Sequence, residues 1–487
     1  MRINLVGPTY DTISQNLDAS RSVNFYVLKN PNDAKSPNAL IGTPGKSLAF
    51  TAGAGPIRGM HVFNGQLLVV SGGSVYTINT AGTVTPVANG TLSTSTSRVS
   101  IQDNGLAPTG GNQTMIVDGT GGYIYNANGT FSAISGGGWP ANGADTCCFI
   151  DGYFMMNVGG GSGQFQQSAL YDGTTWASAN KSTADNFPDL LLSVFNNHGQ
   201  LWLFGEYTTE IWYDAGYGTP TFQRLPGAVL EYGAAARWSI AKGNNSIFWL
   251  ATQKNGDQGE VVGVVEANGY SPVVISPDAI NTKISQASVI SDAFGYYYTE
   301  NGHGFYALTF PTANFTIVFD TVTKMWHERS SYNGAPYTIG RDLGNCYAYF
   351  NGMHLVGDYQ SGNIYEVSSS FYSENGNPIV SMRTAQHMAD KDNLNSFFIH
   401  RLQIDGETGV GDNTIVNPQA SLSWSDDGGH TWSSEYQTSI GAIGGYKTRM
   451  IWRRLGYSRD RVFKLTISDS VKKVILGATV EAEKGSA

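Results

Sequence analysis

Charge is scarce in this chain: 14 % of its 487 residues are Asp, Glu, Lys or Arg, and they sum to −9 at neutral pH. That excludes a protein built to wrap nucleic acid, because phosphate binding draws on a strongly basic surface. Cysteine is scarcer still. Cys147 and Cys148 are adjacent and Cys346 is remote, which makes neither a disulfide framework nor a zinc spacing. The adjacent pair, running into Phe149 and Ile150, reads as small buried residues of a strand. No apolar run reaches the 18 or more residues of a membrane helix. The first ten residues lack the apolar stretch of a secretion signal, so the expected compartment is at first a reducing cytosol. Helical periodicity is missing too; the nearest approach is residues 381–395, where Met382, Ala385, Met388 and Ala389 are loosely spaced.

What is present is glycine, 60 residues of it, and a β-hairpin grammar repeated between about residue 56 and residue 370. HVFNGQLLVV at 61–70 passes Gly72-Gly73 into VYTI at 75–78; QTMIV at 113–117 passes a glycine-rich turn into YIY at 123–125; Val194 and Phe195 pass Asn197-His198-Gly199 into QLWLF at 200–204. Asn and Gly enter positive φ cheaply, so these pairs mark tight hairpin turns. Units start near Pro56, Thr96, Asp145, Asp189, Ala235, Ile284 and Pro336, spaced like propeller blades. One such sheet cannot bury both faces, whereas several arranged radially can. The spacing predicts an all-β chain with a six- or seven-bladed β-propeller; a large β-sandwich or a β-helix is the competing architecture.

Catalytic motifs fail on inspection. GTPGKS at 42–47 resembles a phosphate loop, but the required first glycine is Leu40, and Pro44 removes an amide. His327-Glu328 has no second His four residues on, and Gly160-Gly161-Ser162-Gly163 is no nucleophile elbow. SDDGGHTW at 425–432 does match an Asp-box, with Ser425, Asp427, Gly429, Thr431 and Trp432 at the defined positions. Its carboxylate is expected to accept amide hydrogen bonds across a turn opened by Gly429, with Trp432 beneath. The motif specifies a hairpin and no reaction. A sialidase also needs an arginine cluster and a Tyr/Glu nucleophile pair. Arginine is sparse in the first six units, where Arg58, Arg98, Arg224, Arg237 and Arg329 occur. No catalytic residue, metal ligand or cofactor site is expected.

Basic residues do concentrate near the C-terminus. Lys447, Arg449, Arg453, Arg454, Arg459, Arg461 and Lys464 fall within 18 positions, with Asp460 as the sole acid. They read either as the solvated face of two strands or as a docking surface for an acidic partner. Three segments follow from the pattern: an N-terminal arm at 1–50, the propeller at 51–378, and an accessory β-sandwich-like domain at 379–487, where longer alternating runs such as FFIHRLQI (397–404) and VFKLTI (462–467) appear. The arm carries a strand-like VNFYVL at 23–28 with no hairpin mate, which suggests packing on a neighbouring subunit.

SRSVNFY at 20–26 with LIGTPG at 40–45, GWP at 138–140, and IWRRLG at 451–456 with VFKLTI at 462–467 together resemble the packaged-DNA stabilisation, or tail hub/nozzle, proteins of short-tailed bacteriophages. The resemblance implies a non-enzymatic virion part: a homo-oligomer, six-fold and ring-shaped, assembled in the host cytoplasm and built into the tail. It implies docking below the portal-adaptor ring, retention of packaged dsDNA and its passage without sequence-specific binding, attachment of tail fibres, spikes or a needle, and no membrane insertion. A single Asp-box is not a feature of that family. The alternative is a glycan-binding or glycoside-hydrolysing, sialidase-like propeller, for which 26 Tyr and 10 Trp could serve as stacking platforms.

Overall fold

A computed structural model describes residues 2–11, 13–30, 36–255, 258–389 and 395–485. Successive antiparallel sheets begin at Ile57–Phe63, Ser100–Asp103, Cys147–Ile150, Leu191–Asn197, Gly233–Ala234, Phe294–Glu300 and Gly344–Phe350, in the order of the repeats. We call them blades 1 to 7. The first strand or two of each blade lies beside those of the next, and blade 7 returns to blade 1, so the circle closes. The expected all-β propeller is present, together with a C-terminal β-sandwich. Among the described residues the one α-helix is Asp278–Ser285, inserted before blade 6, and residues 381–384 form a strand.

Turn chemistry explains why the blades form locally. Asn64-Gly65, Asp151-Gly152, His198-Gly199, Asn244-Asn245, Asn301-Gly302 and Asn351-Gly352 all have positive φ at both positions, the signature of a two-residue hairpin turn. Packing then explains why they stack. In His303–Phe310, Tyr306, Leu308 and Phe310 face blade 5 and Phe305 and Ala307 face blade 7. That is period-2 alternation with apolar residues on both sides. A separate apolar cluster fills each gap, for example Leu67, Val69 and Leu355 between blades 1 and 7, and Trp202, Phe204 and Trp249 between blades 4 and 5. Cys147, Cys148 and Cys346 are buried, and burial pushes the Cys147 thiol up to about 12.

The N-terminal arm is consumed within its own chain, not held out for a neighbour. Gly45–Thr51 pairs antiparallel with Asn363–Ser368 and is the outer strand of blade 7, so the first and last parts of the propeller close each other. Ala19–Val23 lies between Met325–Arg329 of blade 6 and Ser381–Thr384 of the sandwich. Blade 6 thereby continues into Asp460–Ile467, Gln419–Ser425 and Tyr436–Ser439 as one eleven-stranded sheet. Phe25–Lys29 and Asn38–Gly42 turn away into the second sandwich sheet, beside Val474–Lys484, Phe397–Gly406 and Met450–Arg453. The expectation that the strand at 23–28 has no hairpin mate is thus corrected: Phe25–Lys29 pairs antiparallel with Asn38–Gly42 of the arm itself, and only Val23 and the residues before it take mates more than 300 residues away.

Asn24 makes the switch between sheets. Its φ of 53° is a conformation Asn tolerates better than most residues. Its Nδ2 donates 2.9 Å bonds to Ser330 O, where the chain leaves blade 6, and Val380 O, where it enters the sandwich. Ile3, Phe25, Val27 and Leu40 of the arm sit in the sandwich core with Leu402, Trp452 and Phe463. Burying side chains of this size contributes about 1.5–3 kcal/mol each, so the arm is integral to the fold.

Candidate functional site: the propeller mouth and the sandwich edge

Where the inner strands of six blades begin, the propeller opens into a cavity of about 510 Å³ lined by Arg98, Arg237 and Arg341 and by Asp118, Asp145 and Asp292. Arg98 is set by a rigid linker. The buried Arg58 guanidinium donates to Ser97 O, Gly72 O (2.8 Å) and Thr94 O (2.6 Å), while Asp118 accepts the Thr94 amide at 2.9 Å. Arg98 then lies 3.9 Å from the Phe294 ring centroid and donates to Asn345 Oδ1 at 2.9 Å. Arg341 lies 3.9 Å from the Tyr359 ring and 5.4 Å from the same Phe294 ring. Arg237 pairs with Asp145 across the opening. Burial, reinforced by the Arg341 cation, lowers the Arg98 guanidinium to about 10.

This convergence was not anticipated from sequence. Arg98, Arg237 and Arg341 stand more than a hundred residues apart, and the shared signal is only that each precedes the main strands of its blade. The site does not supply the couple that glycoside hydrolysis needs, two carboxyl groups with divided roles. Asp118 is held low: burial opposes ionisation, but amides of Gly121, Thr120 and Thr94 outweigh it. Asp145 is committed to Arg237 and no glutamate lines the cavity; Asp292 Oδ1 is the one lining carboxylate oxygen that is buried and lacks a hydrogen-bond partner among the described residues. The arrangement presents guanidinium groups at the opening, Arg98 and Arg341 being seated on the Phe294 and Tyr359 rings.

The GTPGKS segment has a structural use. Lys46, on the outer strand of blade 7, is buried and bonds Asp342 at 2.6 Å and Glu374. Burial works against its charge, yet the two carboxylates raise its pKa above the ordinary lysine value. Glu328 on blade 6 accepts Arg21 of the arm at 2.7 and 2.8 Å and Lys283 at 2.7 Å. Against the cost of burial, these cations bring its pKa down to about 2.

The C-terminal basic run divides on folding. Lys447, Arg449, Arg453, Arg454 and Arg459 are exposed. Arg461 is 2 % exposed and forks onto Asp426 at 2.6 and 2.7 Å, with further bonds to Leu455 O and Tyr457 O. It is an internal brace, unavailable to a partner. Lys464 is half-buried, 4.0 Å from the Trp432 ring, and burial lowers its pKa. Arg453 lies on Met450–Arg453, the edge strand of its sheet, near the exposed pair Phe398 and Tyr457.

The Asp-box segment forms a turn beyond Gln419–Ser425. Asp427 accepts Ser425 Oγ at 2.6 Å, Thr431 N at 2.9 Å and Thr431 Oγ1 at 2.6 Å, and Gly429 has φ 105°. These donors hold the Asp427 carboxyl well below its usual range. Gly428 and Gly429 pack against Asn16 and Gln15, so the turn braces the arm.

A propeller closed by its own N-terminal strand and continued into a sandwich defines a two-part β protein with a built interface between the parts. Two family models match these parts in turn: "Bacteriophage P22 Gp10, beta-propeller" over residues 3–372 and "Bacteriophage P22 Gp10, beta-sandwich" over 382–483. The chain belongs to the bacteriophage P22 Gp10 family, the tail hub and stabilisation proteins, and is a phage tail structural protein. No curated protein matches it in sequence. Among solved structures it is similar to one titled "Streptogramin B lyase structure" at 10 % identity and TM-score 0.39, covering 71 % of this chain and 98 % of that one. The N-terminal domain of Nup159 is similar at 8 % identity and TM-score 0.38, covering 72 % of this chain and 99 % of the other.

Proposed function

We propose that the protein is a hub or nozzle subunit of a short phage tail. Copies of it form a six-fold ring below the portal adaptor, retain the packaged dsDNA, conduct it at ejection, and anchor fibres, spikes or a needle. It acts mechanically and carries out no bond-breaking chemistry. The observation that supports this best is the joint between propeller and sandwich, one continuous sheet stitched by the arm, in a chain that matches the family over both parts. A ring that bears the thrust of packaged DNA needs subunits whose halves do not hinge. An overall charge of −9 suits a conduit, since an acidic wall lets a duplex slide without adhering. Assembly takes place in the host cytoplasm, and the subunit ends in the virion tail.

Within this reading the exposed Lys447, Arg449, Arg453, Arg454 and Arg459 are the docking surface for an acidic neighbour. Both Arg453 and Arg454 are exposed, so reversing their charge spares the core. The double variant Arg453→Glu, Arg454→Glu is expected to lower the fraction of ring in sedimentation velocity while keeping the circular dichroism of the parent. Undiminished ring formation removes this surface from the account.

A further inference from the structure

The sandwich is open along one side. Met450–Arg453 is the edge strand of its sheet, and Tyr436–Ser439 is the edge strand of the sheet facing it. Trp452 Nε1 donates to Tyr436 O at 2.7 Å and so ties the two edges together. Tyr436 sits opposite Leu422 across its own ladder, and cross-strand partners share a face. Leu422 is 1 % exposed in the core, whereas Tyr436, aimed the same way, is 53 % exposed. The core stops short at that tyrosine because, among the described residues, no strand lies beyond Met450–Arg453 to cover it.

The side-chain rows across this sheet define what a covering strand would carry. Met450 and Trp452 point into the core, so Ile451 and Arg453 lie on the outer face. On that face one row runs Glu481, Arg401, Arg453. Glu481 pairs with Arg401, which leaves two arginines side by side and no acid on the far flank of the second. Like charges directly opposite one another on a sheet repel. Among the described residues Arg453 makes no ion pair, nor do the exposed Lys447, Arg449, Arg454 and Arg459 around it. An acid beside Arg453 would complete the row, and an apolar residue one place along would lie beside Trp452 and under Tyr436. That is the period-2 pattern of a strand with acids outward and apolar residues inward.

A second copy of the chain does not offer that pattern. The outer strands of blades 1, 2, 4 and 5, Val84–Thr91, Phe131–Ala133, Phe222–Leu230 and Val273–Val274, contain no acid. That of blade 3, Asp172–Thr183, has only Asp172, which accepts from Thr174 Oγ1 at 2.6 Å. Two Met450–Arg453 edges would set arginine against arginine. We infer that an acidic, extended segment of another tail polypeptide adds to Met450–Arg453 as a strand, with its acid beside Arg453 and its apolar side chain against Trp452 and Tyr436. Open edges bind peptides in this way, main-chain bonds giving affinity and side chains giving selectivity. The inference rests on reading the basic run as a docking surface, and it names what docks on the strand. Arg454, in the left-handed bend after the strand at φ 59°, and the flanking Lys447 and Arg459 are left for the ring neighbour.

The test is calorimetry on the full chain with an acetylated peptide of alternating Glu and Val, the monomer and any ring fraction being measured separately. A Lys-Val peptide and a Glu-Val peptide with all its backbone amides N-methylated are the controls; methylation keeps the charge and blocks strand pairing. Only the first peptide should bind, and hydrogen exchange at residues 450–453 should slow when it does. Arg453→Glu should weaken that binding about tenfold or more, and Arg453→Gln, which adds no charge, should weaken it in the same direction. Arg224→Met, on blade 4, should leave it unchanged, and thermal melts establish that each variant folds. No binding, equal binding of either control, or indifference to Arg453 would overturn the inference. So would slow exchange at 450–453 in the ring before peptide is added, since a second copy would then hold the edge. Rings that fail to form while the peptide still binds would remove the ring reading and leave this one standing.

Discussion

Lys473 is a buried amine with no ion-pair partner among the described residues; it donates to Ile379 O and to Ser381 Oγ at 3.1 Å, where the sandwich meets the arm. Burial lowers its pKa to about 7, with Asp469 opposing weakly. The folded-state pKa lies below the unfolded one, so between about pH 7 and pH 10.5 the unfolded chain binds the extra proton. Stability from this residue therefore rises with pH across that window and is lost as pH falls back through it. Its slope approaches about 1.4 kcal/mol per pH unit, one proton's worth. Denaturant titrations from pH 7 to 10 should show this rise in the parent and its absence in Lys473→Met; parallel profiles would refute the assignment. Residues of this kind were the least legible in the sequence. Arg461 and Arg453 look alike in a basic run, yet Asp426 takes one inward and an edge strand leaves the other outside. Arg98 and Arg341 are single arginines until blade closure sets both on Phe294.

Elements fared better where their signals were local. Two-residue turns such as Asn64-Gly65 and His198-Gly199 encode hairpins within ten residues of chain, and blade starts follow from their recurrence. The arm was harder to read because two of its strands have remote partners, Ser22 pairing with Arg383 and Lys46 with Val367, while Phe25–Lys29 pairs with Asn38–Gly42 without a short Asn-Gly turn to mark it. Its most consequential element is Gly45–Thr51, which closes the propeller and carries Lys46 between Asp342 and Glu374. Removing that cation strands two buried carboxylates. Lys46→Met should cost about 3–5 kcal/mol in urea unfolding. Adding Asp342→Asn and Glu374→Gln to it should recover much of the loss, since an uncharged cluster no longer needs the amine. A Lys46→Met protein as stable as its parent would mean that the clasp contributes nothing to closure.

At the scale of the molecule, three chain segments give one body with two cores. The propeller hides every blade face against a neighbour, and the sandwich hides strands from both ends of the chain around Phe25, Leu402 and Phe463. The repeated hairpins and their spacing, with a composition that agrees, indicated an all-β chain, and the resemblance in short motifs near both ends and at 138–140 indicated the family. Neither indicated that blade 6 runs on into the sandwich, because that continuity passes through Ala19–Val23, distant in sequence from both sheets. The continuous sheet is also why the parts are expected to move together when a ring is loaded. The central claim is that such rigid subunits assemble into an annulus. Native mass spectrometry of the full chain, with negative-stain imaging of the same sample, tests it most directly. The account predicts a species of six 52.3 kDa chains around an open channel. A monomer at every concentration, alone and with the portal adaptor present, would contradict it.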